Sequence, residues 1–290
     1  MAAGVVAAAK AETAVPEARS DFRQVIDWDR PWMTSLRELG EPLCAPKIDW
    51  RATLNATACV SALATEGGQS IEFVAQSKLP AHASYEAFIH ATGNVPTREN
   101  LHDFLNALVW LGYPRIKARL NAVQATDIHF AQGSNAMASV RPTRSRLRDA
   151  LTLFDENAVL LACSEPLLFD LLRSHAWRAL FVDHRIAFNK HCEVFMFGHA
   201  LVEKLVAPYK AITAHAWLVA VDADFFAQSM TEKRAYLDMQ VARQLDDTFR
   251  TTAFTPLPVL GIPDWWEGQD ALFYADEYVF RPSRKSLENN

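Results

Sequence analysis

Three histidines stand beside acidic residues in this sequence, and their spacing suits metal-ion chemistry. His102 is followed directly by Asp103, His199 lies four residues before Glu203, and His215 stands near the start of a predicted strand. Side chains four residues apart share one face of a helix, so His199 and Glu203 could reach one cation. Imidazoles with carboxylates suit zinc, manganese or iron and leave a coordination position open for water. We therefore predict that these five residues form a divalent-metal site.

The same histidines also have structural interpretations. A single histidine on an apolar helix is commonly a hydrogen-bonded structural residue, and His199 with Glu203 is equally a surface pair. The pair His102-Asp103 also occurs in HD-type phosphohydrolases, but the upstream histidine and downstream aspartate of that class are not matched here. The structural interpretation therefore stays open beside the metal site.

A second group of residues could bind an anion. Arg144, Arg146 and Arg148 occupy alternate positions, so on a strand their guanidinium groups would project from one face. Arginine makes two parallel hydrogen bonds to phosphate or carboxylate, which predicts an anion-binding row. The alternative is a charged edge strand, which prevents sheets from pairing and needs no ligand.

The elements that would position these residues are predicted from apolar spacing. A central helix begins after Pro96 with Thr97 as its N-cap, buries Leu105, Leu108 and Val109, and ends near Gly112. A shorter helix follows over 115–123, and 130–142 reads as a loop. The segments 150–154 and 158–163 flank Asp-Glu-Asn and predict a β-hairpin. Ser229 is expected to cap a long helix over 231–249.

Acidic and aromatic residues near these elements also have structural interpretations that need no ligand or catalysis. Asp155 and Glu156 are expected to shape the hairpin turn, and Asp149 to pair with Arg148. Any of the three would act as a general acid or base only with a raised pKa in a cleft. The C-terminal region combines aromatic residues with arginines that could stack on bases or meet a partner, although such a tail more often fills gaps in the core. These residues are Trp265, Trp266, Phe273, Tyr274, Tyr278, Phe280, Arg281 and Arg284.

Composition limits the class of protein. The chain has 290 residues, half of them hydrophobic, and a net charge of −5, so a surface built to hold nucleic acid is not expected. Residues 1–20 are predicted to be a disordered, dispensable Ala-rich tail, and 21–290 one globular domain. No apolar run is long enough to span a membrane. Four scattered cysteines suit a reducing compartment, so we expect a cytoplasmic protein.

Helices followed by isolated strands predict an α+β class: a helix-rich single domain with a β-hairpin and a small mixed sheet. Six segments, in order, carry a resemblance to a known family: VPTRENLHDFLNALVWLGYPRIKARLN, RDALTLFDENAVLL, FGHALVEKL, ITAHA, PLPVLGIPDWW and VFRP. Over about 70–285 the chain resembles the uncharacterised bacterial family called domain of unknown function 3025. The resemblance brings no established activity, fold or ligand.

The leading functional hypothesis therefore depends on the residues themselves. It is a metal-dependent hydrolase acting on a phosphate-bearing or other anionic small molecule, in which the metal lowers the pKa of bound water. The rival is a non-catalytic binding or assembly protein, in which the same polar residues form a structural network. A nucleic-acid protein that uses the arginine row and the aromatic tail is a third hypothesis, and the acidic net charge counts against it.

Overall fold

A computed structural model of the chain describes residues 21–134 and 145–283, which contain eleven α-helices and six β-strands. The helices are α1 (Thr34–Gly40), α2 (Trp50–Val60), α3 (Tyr85–Thr92), α4 (Leu101–Gly112), α5 (Pro114–Ser134), α6 (Arg146–Asn157), α7 (Pro166–Arg173), α8 (Arg185–His191), α9 (His199–Lys204), α10 (Met230–Ala242) and α11 (Ala271–Tyr274). The strands are β1 (Glu72–Ala75), β2 (Asn94–Thr97), β3 (Ala158–Cys163), β4 (Cys192–Met196), β5 (Thr213–Ala220) and β6 (Thr255–Pro258). A π-helical turn, Ala179–Asp183, lies between α7 and α8.

The larger sheet has the strand order β4-β3-β5-β6, and β1 pairs with β2 in a separate parallel ribbon. β3 is antiparallel to β4 and parallel to β5, while β6 is antiparallel to β5. Every residue of β3 is buried, which explains its continuous apolar run, because a central strand covered on both faces has no polar side. The predicted α+β class, with a small mixed sheet, is confirmed.

The central helix α4 buries the face that its spacing predicts. Leu105, Leu108 and Val109 are fully buried, as expected. Its predicted N-cap was wrong, because Thr97 ends β2 and the cap is Asn100, whose Oδ1 accepts the Asp103 N–H at 2.8 Å. An asparagine in extended geometry satisfies a free N–H at a helix start as well as threonine does.

Leu108→Ala is expected to lower the free energy of unfolding by about 2–5 kcal/mol, because it removes a fully enclosed side chain and leaves a cavity. Guanidinium unfolding of the two proteins measures the difference. Val60→Ala is the matched control, since that side chain is 88% exposed and should change stability little. A similar small effect at Leu108 would contradict the burial.

The predicted β-hairpin over 150–163 was wrong in its first half. Residues 146–157 form α6, which begins where Ser145 Oγ accepts the Arg148 N–H at 3.1 Å. Ala150, Leu151 and Phe154 are all buried, and these positions share one face of a helix. β3 follows α6 directly and pairs with β4 and β5 instead. The positions predicted as a turn therefore end a helix.

Several boundaries also differ from prediction. α5 extends to Ser134, so the predicted loop over 130–142 begins as helix. The Ser229 capping box is confirmed, but α10 ends at Ala242, seven residues early. Residues 1–20, 135–144 and 284–290 lie outside the described part of the chain, so the predicted tail and most of that loop stay predictions.

β6 forms one edge of the larger sheet and contains Pro256 and Pro258. The Val259 N–H, just after the strand, points inward and donates to Ile212 O at 3.0 Å. Because strand N–H groups alternate in direction, the two proline nitrogens face away from β5.

Among the described residues, no helix is long and apolar enough to cross a membrane.

Candidate functional site

Two of the predicted histidines face each other directly. His102 lies in the first turn of α4 and His199 is the first residue of α9, and their Nε2 atoms are 3.1 Å apart. The rings meet edge to face, with centroids separated by 4.6 Å. His199 is buried, whereas a third of the His102 side chain is exposed. Residues 97 positions apart in sequence therefore form one pair.

The opposite nitrogen of each ring is held by an oxygen. His102 Nδ1 lies 2.8 Å from Glu203 Oε2, and His199 Nδ1 lies 2.9 Å from the backbone carbonyl of Asp155. A carbonyl oxygen only accepts, so His199 Nδ1 carries a hydrogen and its Nε2 presents a lone pair to His102. A proton or a metal cation must occupy the gap, since two facing lone pairs would repel.

This arrangement matches the surroundings of histidines that bind metals. Such histidines donate the other ring N–H to a carboxylate or carbonyl, which fixes the tautomer and makes the ligand more basic. Two nitrogens that each lie about 2.0–2.1 Å from one ion at a tetrahedral angle are about 3.3–3.4 Å apart. The 3.1 Å separation of the Nε2 atoms is close to that value.

The predicted ligand set changes in its details. Glu203 joins the cluster by contacting the His102 ring, so its carboxylate orients that ring. Asp103 pairs with Arg98, accepting from its backbone N–H at 2.7 Å and from its guanidinium at 2.8 Å. In residues 21–134 and 145–283, no three His, Cys, Asp or Glu side chains are grouped to hold a metal ion. Two protein ligands are therefore what this pair offers.

His215 does not join the pair. It lies on β5, half-buried against the ring of Phe254, with ring centroids 5.5 Å apart. Its register partners on the neighbouring strands are Ala158 and Pro256. The sequence does not give the order of the strands in the sheet. The position of His215 relative to the helices could therefore not be predicted, and it was assigned to the site.

A buried lysine supports the pair from behind. Lys117 on α5 contacts Asp155 Oδ1 at 2.5 Å and Asn106 Oδ1 at 2.9 Å. Burial disfavours the Asp155 carboxylate, but the attraction of Lys117 and the hydrogen bond from it outweigh this and hold the pKa of Asp155 below its usual value. Asp155 therefore stays ionised, and Lys117 fixes the segment whose carbonyl holds His199.

Burial also controls the protonation of His199. Removal from water lowers the pKa of His199 to about 4, with further repulsion from Lys117 and His102 only partly offset by Asp155. The ring is therefore neutral at physiological pH. A neutral imidazole is the form that can bind a metal or accept a proton.

His199 is expected to make the fold sensitive to mild acid. Its pKa in the unfolded chain is near 6.5, so below that pH the unfolded state binds a proton that the folded state refuses until about pH 4. The contribution is fully present above pH 6.5 and falls by about 3 kcal/mol between pH 6.5 and 4. Guanidinium unfolding at pH 7 and pH 4.5, with chelator present, measures it.

The matched variant for this experiment is His199→Gln, which does not titrate. Asp238 acts in the opposite direction, because burial raises its pKa to about 6, so the difference between the two proteins is the quantity to compare. The wild-type protein should lose more stability on acidification than the variant. Equal losses would show that His199 is not buried as a neutral ring.

The pair opens into a cavity of about 360 Å³. Arg98, the cation in its wall, is paired with Asp103, and Asp155 in its wall is paired with Lys117 behind it. Burial raises the pKa of Glu86, which also borders this space. The full lining is Gln76, Leu79, Tyr85, Glu86, Arg98, His102, Asp103, Asn106, Gln124, Thr152, Asp155, Glu156 and His199. The cavity is polar, with the histidine pair in its wall.

The predicted arginine row is not a strand and does not border this cavity. Arg146 and Arg148 lie on α6, where residues two apart point to different sides. Arg148 pairs with Asp127 at 2.7 Å, and Arg146 borders a separate cavity of about 1040 Å³. Arg144 lies outside the described residues. The predicted single anion-binding face was wrong.

Two acids acquire roles that differ from the predicted ones. Asp155 was predicted to shape a turn, but it is the lysine-paired residue whose carbonyl orients His199. Glu156 lines the cavity.

In the aromatic tail, Tyr274 and Phe280 are buried core residues, whereas Tyr278 is 89% exposed. The gap-filling interpretation therefore holds for part of the tail.

Lys117 is the site residue that the sequence analysis missed. It follows Tyr113 and Ile116 at helical spacing, on a face where all three side chains are buried. A lysine at an apolar position of a helix needs an acidic partner, since an unpaired buried charge is costly. The pattern therefore predicts that Lys117 has a buried acidic partner, although it does not identify that partner as Asp155.

The fold and the histidine-lined cavity define a helix-rich α+β protein with a candidate polar site. The chain belongs to the family described as protein of unknown function (DUF3025), whose family model matches residues 71–284. All members of the histidine cluster fall inside that range. No curated protein and no solved structure matches the chain.

Proposed function

We propose that this protein is a metal-dependent hydrolase whose divalent cation, zinc or manganese, is bound between His102 and His199. The observation that supports this most directly is the 3.1 Å Nε2 to Nε2 contact, with each Nδ1 held by an oxygen. A divalent cation lowers the pKa of coordinated water, so hydroxide becomes available near neutral pH. The remaining coordination positions are left for water and substrate.

The substrate that we propose is an anionic small molecule, which the bound cation would attract. Arg98 and, behind the cavity wall, Lys117 are each paired with a carboxylate, so the bound divalent cation, and not these side chains, would attract the substrate. A phosphate or carboxylate group would neutralise the charge of the cation and supply the missing ligands. The volume of about 360 Å³ suits a small molecule.

Free cysteines support a cytoplasmic location. Cys44, Cys59, Cys163 and Cys192 are all unbridged thiols, as in proteins of reducing compartments. We propose that the reaction takes place there, on a soluble anionic metabolite and without nucleic acid or a membrane as partner.

Metal analysis of protein purified without chelator tests the proposal. We expect about one zinc or manganese ion per chain, and loss of hydrolysis of phosphate esters and carboxylic esters after chelation, restored by adding the metal back. Protein that holds less than about a tenth of an equivalent, and binds neither ion in calorimetry, would overturn the metal site.

The alternative is a non-catalytic binding or assembly protein. It is favoured by the saturation of the network, in which Lys117, Asp155, Glu203 and both histidines already have partners. This alternative expects a proton between the histidines and no metal. Stoichiometric metal without hydrolysis of any ester would favour a metal-binding role without catalysis.

A further inference from the structure

A second reactive group lies at the far end of β3. Cys163 is the last residue of β3 and Cys192 the first residue of β4, and the two are register partners in the antiparallel pair. Both residues are buried, and their side chains face each other across the two strands. Twenty-eight residues separate them in sequence, so no short cysteine motif predicts the pair.

The ladder places the two thiols at a position where a bond can form. The Ser164 N–H donates to His191 O at 3.0 Å, so the neighbouring pair is the hydrogen-bonded one. These pairs alternate along antiparallel strands, which puts Cys163 and Cys192 at a non-hydrogen-bonded position, where facing side chains are closest. Alpha carbons there are about 4.5 Å apart, within the range that disulfides span.

The two thiols are not equivalent. The Glu165 N–H donates to Cys163 Sγ at 3.3 Å, and Cys192 is the register partner of Cys163. Interaction with the Cys192 thiol and with the Glu165 N–H lowers the pKa of Cys163, whereas interaction with Cys163 and burial raise the pKa of Cys192. Cys163 is the better nucleophile of the pair, because the thiolate is the reactive form.

We propose that Cys163 and Cys192 form a reversible cross-strand disulfide when the protein meets hydrogen peroxide. This inference is independent of the metal site, because neither cysteine borders the histidine-lined cavity.

The reaction has two balanced steps. The Cys163 thiol first releases its proton; the thiolate attacks one peroxide oxygen, the O–O bond breaks to give a sulfenic acid, and the departing hydroxide takes up the released proton to form water. Cys192 sulfur then attacks Cys163 sulfur, the S–S bond forms and the S–O bond breaks. Hydroxide leaves and takes the Cys192 proton as a second water. Two thiols are oxidised by two electrons, and peroxide is reduced to two waters.

Peptide mapping of the full-length chain tests this. The folded protein is treated with hydrogen peroxide, and the remaining thiols are alkylated after unfolding. The chain is then digested, and the masses of the peptides are measured by mass spectrometry. We expect a peptide containing Cys163 joined to one containing Cys192, with the loss of two hydrogens, and recovery of both free thiols after treatment with a dithiol. The exposed Cys59 should not appear in that cross-link.

Three variants sharpen the result. Cys163→Ser and Cys192→Ser should each abolish the cross-linked peptide, whereas the matched control Cys59→Ser should keep it. The mapping of the wild-type chain decides the question even if a buried serine destabilises a variant. Recovery of Cys163 and Cys192 as separately alkylated thiols, or of Cys163 as a sulfinic acid without a cross-link, would overturn the proposal.

Discussion

His199→Ala is expected to abolish retention of a divalent cation while leaving the helices and strands in place. The substitution removes one of the two facing Nε2 atoms, and a single imidazole would remain on the cavity wall. Affinity for zinc or manganese should fall by more than about 100-fold, because losing a direct ligand exceeds the loss from an outer contact. Metal content after gel filtration and calorimetric titration measure the change, and circular dichroism reports the fold.

The matched control is His215→Ala. His215 was predicted to share the site, but it lies against Phe254 on β5, so its removal should leave metal binding unchanged. His102→Ala should behave like His199→Ala. Equal metal loss in all three variants would indicate nonspecific destabilisation, and retention of the ion by His199→Ala would overturn the assignment of the pair.

Gly198→Ala is expected to separate His199 from its carbonyl partner. A Cβ atom at Gly198 would lie 2.5 Å from Ala158 N, 2.6 Å from Asn157 N and 2.6 Å from Glu156 O. All three are backbone atoms that cannot rotate away, so the start of α9 must move. We expect destabilisation of about 1–3 kcal/mol from overpacking and a 10- to 100-fold loss of metal affinity. Thermal unfolding and calorimetry measure the two effects.

Gly67→Ala controls for the general cost of replacing glycine. Its Cβ would meet only Thr65 Oγ1, at 3.7 Å, and its backbone does not occupy the left-handed region. Stability and metal affinity should therefore stay close to wild type. A Gly198→Ala protein with unchanged affinity would show that the Asp155 carbonyl contact does not position His199.

The sequence predicted the parts of the site that depend on local pattern. Helical spacing placed His199 and Glu203 on one face of one helix, and both lie in the cluster. The choice of His102 came from its acidic neighbour, although Asp103 binds Arg98 instead. His102 lies in the cluster, but not for the reason that led to its choice, and its role as a metal ligand stays a prediction.

The parts that the sequence did not predict depend on contacts between distant segments. Asp155 contributes a backbone carbonyl, and no side-chain pattern reports where a carbonyl will point. The predicted hairpin misled the placement of Arg146 and Arg148, because alternating residues read as a strand when Ser145 as a helix cap is overlooked. The position of His215 depends on the pairing of β5 with its neighbouring strands, which the sequence does not give; its ring lies against Phe254 and not against the histidine pair.

The two prolines of β6 remove backbone hydrogen-bond donors from one edge of the larger sheet. An exposed edge strand normally presents N–H and C=O groups to which another chain can add, and this is a common route to aggregation. The outward positions of β6 belong to Pro256 and Pro258, which have no N–H to donate. A strand from a second molecule therefore finds no backbone donors at these two positions, and the sheet ends there without the charged residues that many edge strands require.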